Sequence, residues 1–128
     1  MLQAEQLKRV TWECVHFGST DDALRARDAV SGDLRLLELE VDSPGQLVPA
    51  IGKAFQAPTY FGGNWDALDE CLRDLEWLPA SGYVLFLRRA SDLWAQEPRS
   101  AGRLVESWLM AAEEWAQRGV PFHLVFVW

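Results

Sequence analysis

Histidine and cysteine are scarce, two of each in 128 residues. Cys14 and Cys71 form neither a C-x-x-C pair nor part of a cluster with metal-ligand spacing, and a structural or catalytic zinc needs three or four such ligands. They read as small buried apolar residues in a reducing compartment, where a bridge between them is the rarer alternative. G-x-G-x-x-G and G-x-x-x-x-G-K-[ST] are both missing, so no loop is built to cradle phosphate. G-x-S-x-G is missing too, and neither cysteine has a histidine partner visible in the sequence. His16 and His123 both fall in predicted strands, where a satisfied sheet histidine is the commoner outcome than a catalytic one. No catalytic residue, metal or cofactor is therefore expected.

Long apolar runs are also lacking. No segment approaches the eighteen residues that suggest a membrane span. The first residues, MLQAEQLKRVTWECVHFG, have no extended apolar core and no small-residue cleavage site, which predicts a cytoplasmic location and no membrane partner. Basic residues are the minority: 12 Lys and Arg against 19 Asp and Glu give a net charge of −7. Direct nucleic-acid binding, which depends on basic residues displacing counterions from phosphates, is argued against. Acidity suits a basic partner, but it equally serves solubility, and charge alone does not decide between them.

What the chain has is apolar and aromatic residues, 49% and 12% of the total, enough for one sizeable core. Trp12–Phe17 reads as a strand ending at Gly18-Ser19. Asp21 or Asp22 is placed to cap a helix through Ala29 that closes at Gly32. Leu34–Val41 alternates leucines and valine with Glu38 and Glu40, a strand with one wet face. Ser43-Pro44 makes an N-cap and first-turn pair for a helix carrying Leu47, Val48, Ile51 and Phe55 and stopping before Pro58. A loop over residues 59–63 leads to a second helix from Asn64, with Trp65, Leu68, Leu72 and Leu75 as its stripe. Tyr83–Leu87 is a continuous apolar run, as in a strand covered on both faces. Leu93-Trp94 sits in a short segment ended by Pro98. Ser100 opens a long helix through Leu104, Trp108, Ala112 and Trp115, and Phe122–Trp128 is the last strand. Strands alternating with helices predict one α/β domain over 1–128, its three- or four-stranded sheet mostly parallel and packed by helices.

The segment Tyr60-Phe61-Gly62-Gly63-Asn64-Trp65-Asp66-Ala67-Leu68-Asp69-Glu70-Cys71-Leu72 stands apart. Asn64 is an N-cap whose side chain accepts from a free amide. Asp66, Asp69 and Glu70 fall at i, i+3 and i+4 on one helix face, and Asp66 is favoured by the first-turn dipole. Arg73, i+4 from Asp69 and i+3 from Glu70, is placed to relieve their repulsion. An ordinary solvated helix face accounts for this pattern. So does an anionic wedge entering a basic cleft, flanked by the aromatic anchors Tyr60 and Phe61.

The same segment resembles the loop and helix of the barstar family of intracellular ribonuclease inhibitors. Tyr60, Phe61, Gly62, Asn64, Asp66, Ala67, Leu68, Cys71 and Leu72 fit that family's pattern, and a weaker resemblance runs from about Leu34 to Trp128. Residues 1–32 then form an N-terminal extension, expected as a strand and helix, ahead of a core over 33–128. The resemblance implies an inhibitor or immunity protein that blocks the active site of a basic bacterial ribonuclease of barnase type, extracellular or a toxin, as a monomer in a 1:1 complex. Its acidic groups would take the places of substrate phosphates. Tyr60 would be the interface aromatic, Gly62 the tight turn, and Asp66 an interface aspartate. Glu70 would stand where the family has its main inhibitory aspartate, and Glu114 near a further acidic contact. Asp69 stands in place of a tryptophan and Trp65 in place of a leucine. The competing functions are an acidic interaction module with a non-nuclease partner and a small hydrolase using Asp66 and Glu70.

Overall fold

Burial sorts the four strands as their composition demands. The computed structural model describes residues 2–41, 43, 45–58 and 62–128. Their elements are α1 (Ala4–Leu7), β1 (Val15–Gly18), α2 (Thr20–Val30), β2 (Arg35–Glu40), α3 (Leu47–Ala54), α4 (Trp65–Asp74), β3 (Tyr83–Arg88), α5 (Ala90–Gln96), α6 (Pro98–Gln117) and β4 (Phe122–Val127). One sheet runs in the order β1-β4-β3-β2 with every neighbouring pair parallel. The largely apolar strands β3 and β4 are central and, apart from Arg88 at the end of β3, buried on both faces. The alternating β2 is an edge strand with Glu38 and Glu40 exposed.

Leu85, Leu87, Leu124 and Phe126 face a large core shared with α3 to α6, whereas Val84, Phe86, Val125 and Val127 face a smaller one under α1 and α2. The connection from β1 to β2 crosses the sheet one way, and those through β3 to β4 return the other way. Right-handed crossovers then demand helices on opposite faces. Within the large core, Trp108 stacks on Phe122 with centroids 4.2 Å apart and donates its indole N–H to the Phe122 carbonyl. Both cysteines are free and buried, and burial pushes each thiol up to about 11, an unreactive state. No helix among the described residues is long and apolar enough to cross a membrane.

The elements differ from expectation mainly at their starts. Ser19, not Asp21 or Asp22, caps α2 by accepting from the Asp22 N–H. The first strand of the sheet begins at Val15 rather than Trp12, because the Cys14 N–H turns back to the Trp12 carbonyl. α3 starts at Leu47 after Gln46, and Ser43 does not cap it; Pro44 lies outside the described residues. Pro49 is tolerated inside α3 because first-turn amides need no helical acceptor. α6 opens two residues before Ser100, with Pro98 at its first position. The Leu93-Trp94 segment is itself a helix, α5.

The two histidines, expected as satisfied sheet residues, meet across β1 and β4. His123 Nε2 lies 2.7 Å from the Arg9 carbonyl, which only accepts, so this nitrogen carries the proton. His123 Nδ1 is then bare and accepts from His16 Nε2–H at 2.8 Å. Burial, with the neighbouring His123 second, holds His16 down to about 4. Burial lowers His123 as well, opposed by its bond to Arg9. The neutral pair ties the segment after α1 to the sheet.

Candidate functional site

The acidic segment begins at a well-formed helix start. Asn64 is extended at φ −116° and accepts from the Ala67 N–H at 2.8 Å, as its residue type predicts. The sharp bend before it belongs to Gly63, at φ +72°, whereas Gly62 lies outside the left-handed region. The tight turn expected at Gly62 is therefore one residue later. Tyr60 and Phe61 lie outside the described residues.

Along α4 the carboxylates separate into two kinds. Asp66 and Glu70 are exposed, and neither has an ion-pair partner among the described residues. Asp69, expected on the same open face, turns toward α6 and meets Arg103 at 2.8 Å, its side chain only 15% exposed. The reason is angular. At 100° per residue Asp69 lies about 40° from Trp65 and about 60° from Leu72, on the shoulder of the apolar stripe rather than opposite it. Arg103 sits between them, its guanidinium 5.6 Å from the Trp65 ring. Asp69 Oδ1 and Arg103 Nε remain buried without a hydrogen-bond partner among the described residues.

Arg73 also departs from expectation. It pairs with Glu114 of α6 at 3.4 Å instead of with Asp69 or Glu70. Next to that pair the Trp115 indole donates to the Leu72 carbonyl at 2.7 Å, and Arg118 donates to the Arg73 carbonyl while lying 4.3 Å from the Trp115 ring. The last turn of α4 thus has its free carbonyls answered by α6.

The arrangement is a helix clamped along one side to α6, with two unpaired carboxylates one turn apart on its outer side. Such a pair suits cation recognition. It lacks the enclosed apolar surroundings in which a carboxyl group works as a general acid. Sequence reasoning missed Arg103, whose only signal was its place on the α6 face adjoining α4.

A family model described as Barstar (barnase inhibitor) matches residues 35–127, from the first residue of β2 to the last of β4. No curated protein matches the chain at a significant level. The match spans most of the sequence, and the chain belongs to the barstar family.

Proposed function

We propose, from this family membership and the two free carboxylates of α4, that the chain is an inhibitor or immunity protein that occludes the active site of a basic, barnase-type ribonuclease. The supporting observation is the division of labour among the acids. Asp69 and Glu114 are engaged within the fold, whereas Asp66 and Glu70 stand exposed and unpaired at the first turns of a helix fixed in place by α6. Docking Asp66 and Glu70 breaks no internal ion pair, and it relieves the few tenths of a kcal/mol by which like charges at i, i+4 repel. Cations of a nuclease cleft, arranged to hold phosphate, then find two carboxylates instead. Gly62, Gly63 and Asn64 shape the approach, and Tyr60 and Phe61 immediately precede them in the sequence. Residues 1–32 are an addition that supports the sheet and is accessory to this interface. The inhibitor acts from the cytoplasm as a monomer in a 1:1 complex, without turnover, metal or cofactor.

The test is a titration of a barnase-type ribonuclease with the wild type and with Asp66→Ala, Glu70→Gln and the remote Glu5→Gln. Inhibition is expected to saturate at one protein per nuclease. Each α4 substitution should cost about 2–5 kcal/mol of binding by leaving a buried cation unpaired, a range drawn from charge-pair interfaces that include barnase–barstar itself. Glu5→Gln should alter only the association rate, and modestly. Equal dissociation constants for four folded proteins would refute the acidic plug. Catalytic consumption of RNA or any other substrate would favour the hydrolase instead.

A further inference from the structure

The sheet has two edge strands: β2 exposes Arg35, Glu38 and Glu40, and β1 lies at the other edge. Among the described residues β1 pairs with β4 alone, and it does so through alternate residues: the Cys14 carbonyl accepts from Leu124 and the Gly18 carbonyl from Trp128. In a parallel ladder the intervening residues, Val15 and Phe17, turn their N–H and C=O groups outward. Edge strands are commonly shielded by lysine, proline or a covering loop. Here the edge is flanked by exposed aromatics, Trp12 at 82%, Phe17 at 57% and Trp128 at 55%. Beside it, where α6 carries Ala112 and Ala116, the small side chains leave a groove of about 460 Å³ lined also by Trp12, Cys14 and Leu109. Apolar exposure this concentrated on a free edge marks a protein-binding surface.

Charge selects the occupant. Glu113 lines the groove, and Glu13, between the lining residues Trp12 and Cys14 in the sequence, lines the neighbouring recess with Arg9; both glutamates are exposed and without ion-pair partners among the described residues. A second copy would bring the same glutamates together, on a chain whose net charge is already −7. We propose that the β1 edge and the β1–α6 groove dock an extended segment of a protein partner, apolar at alternate positions and basic at its flanks, as a fifth strand of the sheet. Its main chain pairs with Val15 and Phe17, one apolar side chain enters the groove, and its cations meet Glu13 and Glu113. Leu109, Glu113 and Ala116 point away from the α4-facing side of α6, which holds Arg103, Glu114 and Arg118, by roughly 110–170° around the helix axis. The surface is thus separate from the acidic edge of α4, and the proposal does not rest on the nuclease reading.

The probe is a nine-residue peptide of alternating leucine or valine and threonine with lysines at both ends, compared with a twin ending in glutamates. Binding to the full chain is followed by amide shifts and by sedimentation. The lysine peptide should bind saturably and shift the Val15 and Phe17 amides. Its affinity should fall about two- to fivefold for Glu13→Gln and for Glu113→Gln, as exposed ion pairs do, and tenfold or more for Ala116→Gln, which fills the groove at an exposed helix position. Trp12→Ser, at a site too exposed to affect folding, should weaken it as well. Equal binding of the glutamate twin, shifts that avoid Val15 and Phe17, or the same amides shifting with protein concentration alone, as a second copy would cause, each overturns the proposal.

Discussion

Lowering the pH from 7 to 5.5 is expected to destabilise the protein by about 1 kcal/mol through His16 alone. An unfolded histidine titrates near 6.5, whereas in the fold His16 is held at about 4 by burial and by its neighbour His123. Between those values the unfolded chain binds a proton that the folded chain refuses. The stability carried by the neutral pair is therefore complete above pH 6.5 and is lost as pH falls toward 4. At pH 5.5 the unfolded histidine is about nine-tenths protonated and the folded one almost not at all, which sets the figure of about 1 kcal/mol. The full loss at lower pH is about 2–3 kcal/mol, allowing for the ring's partial exposure. His123 adds to the fall in the same direction. Free carboxyl groups titrate at about 4, below this window, whereas free imidazole titrates within it.

Urea titrations at half-unit steps between pH 7 and 5.5, read by far-UV circular dichroism, measure the effect. His16→Gln supplies the control, because a glutamine amide can still donate to His123 Nδ1 but cannot take up a proton. The variant should lose clearly less stability over the window than the wild type. A wild-type midpoint that does not move, or an identical fall in His16→Gln, would refute the reasoning. Hydrogen exchange should then show the segment around Arg9 opening first, since its carbonyl is the outer acceptor of the chain of bonds.

Two further outcomes concern α4. Arg103→Met should cost about 1–3 kcal/mol, less than a fully buried pair because Arg103 is 37% exposed, and a double-mutant cycle with Asp69→Asn should return a coupling of 0.5 kcal/mol or more; a coupling near zero would mean that the contact does not hold the helices. Asn64→Ala should cost about 1 kcal/mol through the lost cap, with Asn64→Asp close to neutral, and Gly63→Ala a similar amount through its left-handed backbone; both are measured by the same urea titrations.

The central strands and the capped helices were legible because their signals are local. Tyr83–Leu87 has no polar residue to place on a wet face, and Asn64 sits where only a cap makes sense. The errors fell where tertiary contacts decide. α1 spans four residues and is held by the reciprocal Gln3 and Gln6 bonds together with Leu7 in the core, none of which produces a periodic pattern. α5 was reduced to a short segment because Arg89, in the left-handed region, starts it without a capping side chain. Residues 1–32 are expected as a strand and a helix. In the fold they carry β1 beside β4, and α1 and α2 over the smaller core.

The acidic face shows why composition overstates a binding surface. Spacing alone grouped Asp66, Asp69 and Glu70, because i, i+3 and i+4 lie on one side of any helix. It took no account of where the apolar stripe ends or what stands on the next helix. With Trp65 partly buried beside α6, a carboxylate about 40° away meets whatever α6 offers, and α6 offers Arg103. Asp69 is thereby a charge that never reaches the outer surface as a free acid. Its effect on any partner passes through the placement of α4, so substituting Asp69 should shift affinity only as far as the helix moves. Asp66 and Glu70, which have no ion-pair partner to surrender among the described residues, are where a basic cleft would exert its pull directly.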